Sequence, residues 1–105
     1  MSVKVVSGVH APISNRLRAV RAVMQMNQKD FAEGAGIAQK SYNLYEAGTH
    51  RISIPNAIRL RETYGITLDF IYCGSLDTLP HTIAVALASN PAVNASSTSN
   101  VIPLS

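Results

Sequence analysis

The sequence predicts an all-α protein whose core is a compact domain of five short helices. From Pro12 onward, apolar residues recur at spacings of three and four, the period of an amphipathic helix. Capping residues and glycines divide this region at short intervals. The chain has 105 residues, 47% of them hydrophobic, which suffices for the core of one small domain and not comfortably for two.

The first two helices follow an N-terminal arm. Residues 1–11 show no sustained periodicity, and we interpret them as flexible. The first helix has one apolar stripe made of Ile13, Leu17, Val20 and Met24. Asn27 is a suitable N-cap for the second helix, "QKDFAEGA", and Asp30 lies near the positive end of its dipole. Gly36 suits a left-handed turn position.

The third helix lies in "GIAQKSYNLYEAG", where Tyr42 and Tyr45 share one face and Gly48 is the C-terminal stop. The fourth begins after the cap Ser53, with Pro55 in its first turn. Its predicted inward residues are Ile54, Ala57, Ile58, Leu60 or the stem of Arg61, and Tyr64. The fifth helix, "LDFIYC", is capped by Thr67 and stopped by Gly74. These helices place the domain at residues 12–74.

Residues 75–105 form a C-terminal extension. Its apolar run "LPHTIAVALAS" is too short to distinguish a helix from a strand. We expect the segment 79–89, together with the apolar surface around 68–72, to be a dimerisation region. Residues 90–105 are uncharged and rich in Ser, Asn and Ala, and we interpret them as a flexible tail.

Charge favours anionic partners only mildly. The net charge is +3 and the pI is near 9.4. Residues 12–74 hold eight cations and five anions, so the whole excess lies in that segment. Charge alone does not separate nucleic-acid binding from an ordinary basic surface.

Several function classes lack support in the sequence. The three histidines (His10, His50 and His81) are widely separated, and no nucleophile elbow, phosphate loop or metal-ligand cluster occurs. We therefore expect no enzymatic activity, metal or cofactor. Cys73 excludes an internal disulfide, and we interpret it as a small apolar residue. With no membrane-spanning run and no secretory h-region, we expect a cytoplasmic protein.

An ordered pattern surrounds the turn between the second and third helices. It consists of Gln28, Phe31, Ala32, Gly36, Ile37, Tyr42, Tyr45, Glu46 and Gly48. A small residue is needed where the third helix crosses the second, and a glycine turns the chain within three or four residues. Residues 13–74 resemble the helix-turn-helix domain of phage repressor and Cro-type regulators, which implies a lambda-repressor-like fold. Two residues depart from the family pattern: Tyr42 replaces an aliphatic residue, and Gly34 lies within a helix.

The resemblance implies a set of DNA-binding residues. The base-reading candidates on the third helix are Gln39, Lys40, Asn43 and Leu44. The phosphate-binding candidates are Asn27, Gln28, Lys29, Ser41, Thr49, His50 and Arg51. Arg21 and Glu46 resemble the family's ion pair between the first and third helices, which orients the third helix.

The function implied is sequence-specific binding of double-stranded DNA by a transcriptional regulator. A phage or prophage-type repressor would bind a pseudo-palindromic operator as a homodimer. Without a sensing domain, induction would come from a protein antagonist, from dissociation, or from a change in the amount of the regulator. One alternative is the antitoxin of a toxin–antitoxin pair, whose tail would wrap the toxin. Another is a protein-interaction module that has lost DNA binding.

Overall fold

A computed structural model describes residues 10–89 and contains five α-helices and one π-helical turn. The α-helices are α1 (Ala11–Val23), α2 (Gln28–Gly34), α3 (Gln39–Ala47), α4 (Ile54–Tyr64) and α5 (His81–Ala88). The π-helical turn, Asp69–Cys73, lies between α4 and α5. No strand occurs within residues 10–89, and the all-α prediction is confirmed.

The predicted caps determine where the helices begin and end. Asn27 Oδ1 accepts a hydrogen bond from the Asp30 N–H at 2.7 Å, and Ser53 Oγ accepts one from the Asn56 N–H at 3.3 Å. Gly48 ends α3 in the left-handed conformation, with φ of 81°. The first helix begins at Ala11, one residue earlier than predicted, while residues 1–9 of the predicted arm lie outside the described residues.

Helix α1 lies at the centre of the fold, because α3, α5 and the π-helical turn all pack against it. Buried side chains from every helical element meet in one core. Examples, one from each element in chain order, are Leu17, Phe31, Tyr42, Leu60, Ile71 and Leu87. The run that sequence could not assign is therefore a helix, α5, whose Leu87 is fully buried. The predicted tail, residues 90–105, lies outside the described residues.

One expectation about the second half of the domain is wrong, and another is refined. Ile54 was expected to point inward, but it is 51% exposed. It opens α4 at the edge of the domain, where the loop residue Ile52 already fills the core. The fifth predicted helix is wound as a π-helical turn, although Thr67 Oγ1 caps it by accepting from the Phe70 N–H at 3.1 Å. Cys73 at its end is exposed.

The unusual Gly34 has a packing explanation. The Tyr64 ring stacks on Phe31 with centroids 4.7 Å apart, and its hydroxyl donates to the Phe31 carbonyl at 2.8 Å. A Cβ on Gly34 would lie 2.5 Å from that hydroxyl oxygen. Only glycine leaves room for this contact between α2 and α4.

Candidate nucleic-acid interface

Residues 35–38 connect α2 to α3 in a tight turn. Gly36 adopts a left-handed conformation with φ of 77°, as its position predicted. The Ile37 N–H then donates to the Ala32 carbonyl at 2.9 Å, and the Ile37 side chain is buried. These contacts hold α3 against α2 in a helix-turn-helix arrangement.

Helix α3 has one buried and one accessible face. Tyr42, Tyr45 and Glu46 are buried. The four predicted base-reading residues share the other face, because they are spaced three and four apart. Lys40 and Leu44 are exposed, Leu44 at 37%, whereas Gln39 and Asn43 are half-buried.

Asn43 presents only part of its amide to solvent. Its Oδ1 atom is buried and has no hydrogen-bond partner among residues 10–89. Pairing with an adenine edge requires both the oxygen and the nitrogen of the amide. In this conformation Asn43 therefore offers its Nδ2 donor rather than a bidentate pair.

Arg21 and Glu46 form a bidentate ion pair between α1 and α3. Arg21 Nε lies 2.7 Å from Glu46 Oε2, and Nη2 lies 3.0 Å from Oε1. Arg21 Nη1 also donates to the Met26 carbonyl at 3.0 Å, in the linker before α2. The Glu46 side chain is 2% exposed and that of Arg21 is 22% exposed. The hydrogen bonds with Glu46 are the largest influence on Arg21, and they raise its pKa.

Gln28 extends this pair into a network of three helices. Its Nε2 donates to Glu46 Oε1 at 2.9 Å, which the sequence pattern did not show. One Nε2 hydrogen remains for an outside acceptor. The Tyr42 hydroxyl lies within the same region, buried and without a hydrogen-bond partner among the described residues. Burial, and next the Glu46 charge, raise the pKa of Tyr42.

The other phosphate-binding candidates differ in how free their side chains are. The cap Asn27 is engaged through Oδ1, and Thr49 Oγ1 donates to the Leu44 carbonyl at 3.2 Å. Lys29 Nζ lies 3.7 Å from Glu33 in an exposed pair. The remaining three are Ser41, half-buried, and His50 and Arg51, both exposed.

Two side chains that fix α3 were not among the sequence predictions. Ser14 Oγ is buried and donates to the Tyr45 carbonyl at 2.6 Å. Asn56 Nδ2 donates to the Tyr45 hydroxyl at 2.7 Å. Ser14 was recognisable in principle, because it lies three residues before Leu17 on the apolar stripe of α1. For Asn56, no periodic pattern in the sequence indicates a contact with α3.

Within residues 10–89, no three His, Cys, Asp or Glu side chains are placed to hold a metal ion. None of the helices described there combines the length and apolar content needed to cross a membrane.

The tight turn and the two-faced α3 define a helix-turn-helix protein. The helix-turn-helix family matches residues 17–71, just over half of the 105 residues, and the chain belongs to this family. It is also similar to the cryptic phage CTXphi transcriptional repressor RstR of Vibrio cholerae, with 29% identity over 55 residues. The match covers 52% of this chain and 50% of RstR, so the chain spans about half the length of that relative. No solved structure matches the chain.

Proposed function

We propose that the protein is a transcriptional regulator that binds double-stranded DNA sequence-specifically, with α3 in the major groove. The observation that carries this proposal is the accessible polar face of α3, opposite a face held by the Arg21–Glu46–Gln28 network. A reading helix needs such a fixed orientation to place side chains on base edges. Similarity to RstR, a phage transcriptional repressor by name, supports a repressor of the phage type.

The α3 side chains suit different base edges. The Gln39 amide can pair with both N6 and N7 of adenine, and Lys40 can donate to O6 or N7 of guanine. Leu44 offers an apolar contact for a thymine methyl. Asn43, with Oδ1 buried, is suited to donate to an acceptor.

The phosphate backbone supplies most of the attraction and fixes the register. Candidate donors flank α3 in the chain: the start of α2 on one side and residues 49–51 on the other. Gln28 contributes its second Nε2 hydrogen near a helix N-terminus. Arg51, exposed and cationic, is the strongest donor of the set.

Two copies would bind together, with recognition helices about 34 Å apart on a pseudo-palindrome. The region we infer for pairing is the groove beside α5. It is lined by Leu76, Asp77, Leu79, His81, Ala84, Val85 and Ala88. Val85, on α5, is 52% exposed and is one of three large apolar side chains exposed among residues 10–89. Ile71, in the other predicted pairing region, is fully buried in the core.

The test is binding of the protein to the DNA upstream of its own gene, over a range of salt concentrations. The logarithm of the association constant should fall linearly with log salt, at roughly −0.9 per phosphate contacted. Gln39→Ala and Lys40→Ala should each cost about 1–3 kcal/mol and relax specificity at one base pair. Arg51→Ala should weaken binding to all sequences alike. Folded protein that binds no upstream DNA would overturn the proposal.

A further inference from the structure

Tyr72, in the π-helical turn, holds the loop between α3 and α4. Its hydroxyl donates to the Ile52 carbonyl at 2.7 Å. The guanidinium carbon of Arg51 lies 5.0 Å from the centre of the Tyr72 ring, within the range of a cation–π contact. One side chain thus contacts two consecutive loop residues.

Tyr72 projects from a segment that is packed into the core. Phe70 and Ile71, the two preceding residues, are buried in the core, and Gly74 ends the turn in a left-handed conformation. The loop is anchored at its other end as well, because the Ile52 side chain is buried. Arg51 is exposed between these fixed points, and Tyr72 is the side chain against which it rests.

A ring contact of this kind leaves the guanidinium able to bind a phosphate. Guanidinium stacks on an aromatic ring through its face, whereas its N–H donors lie along its edges. An arginine that is already restrained also loses less side-chain freedom when it contacts a ligand. The Tyr72 contact therefore prepares Arg51 for an anion without occupying its donors.

We propose that Tyr72 is a positioning residue for DNA binding, which holds Arg51 ready for a backbone phosphate. This inference rests on the proposed function, and it adds to it a residue from outside the helix-turn-helix unit. Tyr72 does not itself need to touch DNA.

The experiment is a double-variant cycle in the full chain, measuring affinity for the upstream DNA against salt concentration. Arg51→Ala should reduce the steepness of the salt dependence by about 0.9, the value for one phosphate. Tyr72→Leu should weaken binding roughly two- to fivefold, as expected for loss of an exposed cation–π contact. The variant carrying both changes should bind no more weakly than Arg51→Ala alone.

Two further variants serve as controls. Tyr72→Phe keeps the ring and should retain most of the affinity that Tyr72→Leu loses. Arg61→Ala removes another exposed cation, which is paired with Glu62 on α4, and should leave the steepness of the salt dependence nearly unchanged.

Two results would overturn the positioning role while leaving the proposed function intact. One is losses of DNA-binding free energy that simply add in the double variant, and the other is a folded Tyr72→Leu protein with wild-type affinity. Wild-type protein that binds no DNA would overturn both. If Tyr72→Leu does not fold, NMR of the free wild-type protein decides. The Arg51 side-chain signals should show an upfield ring-current shift that Tyr72→Phe retains, and their absence would overturn the proposal.

Discussion

Gly34 shows how one missing Cβ governs a contact between helices. Alanine within a helix normally gains about 1 kcal/mol over glycine. Here the added Cβ would lie 2.5 Å from the Tyr64 hydroxyl, which donates to the Phe31 carbonyl. We expect Gly34→Ala to lower the free energy of unfolding by about 1–3 kcal/mol, the usual cost of overpacking. Urea denaturation measures this.

The matched control removes the hydroxyl rather than the glycine. The next Tyr64 atom, Cζ, would lie 3.6 Å from the new Cβ, an ordinary contact. In a protein that already carries Tyr64→Phe, adding Gly34→Ala should therefore cost much less stability than Gly34→Ala costs in the wild type. Equal losses in both backgrounds would contradict the packing explanation.

Tyr42 carries a buried hydroxyl without a hydrogen-bond partner among residues 10–89, and a buried polar group left unpaired costs stability. We expect Tyr42→Phe to be as stable as wild type or more stable at pH 7, by thermal denaturation. A loss above about 1 kcal/mol would show that the hydroxyl makes a favourable contact.

The same hydroxyl predicts an alkaline pH dependence. Burial raises the pKa of Tyr42 above its ordinary value of about 10, so the folded state keeps the proton when the unfolded chain releases it. The free energy of unfolding therefore does not depend on the ionisation of Tyr42 below a pH of about 10, and it falls as pH rises further, by up to about 1.4 kcal/mol per pH unit. Tyr42→Phe should flatten this fall in denaturation curves between pH 8 and 11. The pKa values of Tyr64 and Tyr72 are also raised, so part of the fall should persist.

Individual residues were predictable from the sequence where their role is local. Gly36 and Gly48 follow from turn geometry, and both adopt the left-handed conformation. The sequence marked Gly34 only as a departure from the family pattern, because the reason for it is packing against Tyr64, a residue 30 positions further on. Non-local contacts of this kind leave no periodic signal in one sequence.

At the scale of helices, the network of Arg21, Gln28 and Glu46 joins α1, α2 and α3. Its two charges are unequally buried, with Glu46 at 2% and Arg21 at 22% exposure. Arg21→Ala leaves a buried carboxylate without its cation and should cost about 3–5 kcal/mol of stability. Glu46→Ala leaves a cation that can reach water and should cost less, about 1–3 kcal/mol. Urea denaturation of both variants tests this order; equal costs would contradict it.

The network also predicts a separation of DNA binding from stability. Because Glu46 joins α3 to both α1 and α2, its loss should let the angle of α3 vary. We expect Glu46→Ala to weaken binding to the upstream DNA by more than the loss of folded protein, followed by its melting temperature, would explain. Glu46→Gln keeps the shape of the side chain and should lie between wild type and Glu46→Ala. Parallel losses of binding and stability would point to unfolding alone.

Helices were predictable to the extent that their ends carry capping signals. Asn27 and Ser53 mark the starts of α2 and α4 in the sequence, and both side chains make the capping hydrogen bond. The α5 run lacks such a signal, since Pro80 precedes it without a side-chain cap. Its helical state follows from packing on α1, which sequence spacing does not report. The prediction for Ile54 failed for a related reason, because periodicity within α4 cannot show that the loop residue Ile52 already fills the core there.

At the scale of the molecule, the accessible face of α3 and the face of α5 have separate roles in the proposal. The first would read DNA, and the second would bring a second copy to the adjacent half-site. The four residues proposed for the reading face come from the pattern around the turn, and their contacts with bases remain a prediction. The groove beside α5 was not, because it depends on how residues 76–79 pack beside that helix.

The two faces of α5 allow stability and pairing to be tested separately. Leu87 is fully buried, so Leu87→Ala should cost about 2–5 kcal/mol of folding stability. Val85 is 52% exposed, so Val85→Glu should change stability by only about 0.5 kcal/mol while placing a charge in the pairing surface. Sedimentation should show dimers for wild type and monomers for Val85→Glu.

DNA length provides the second measurement for Val85→Glu. Binding of one domain to a single half-site uses only α3 and its flanking donors, so the variant should match wild type on half-site DNA. On the full pseudo-palindrome it should bind more weakly, because the second copy is no longer held at high effective concentration. A Val85→Glu protein that remains dimeric would place the pairing surface elsewhere. A wild type that is monomeric both alone and on the full site would remove the need for a pairing surface.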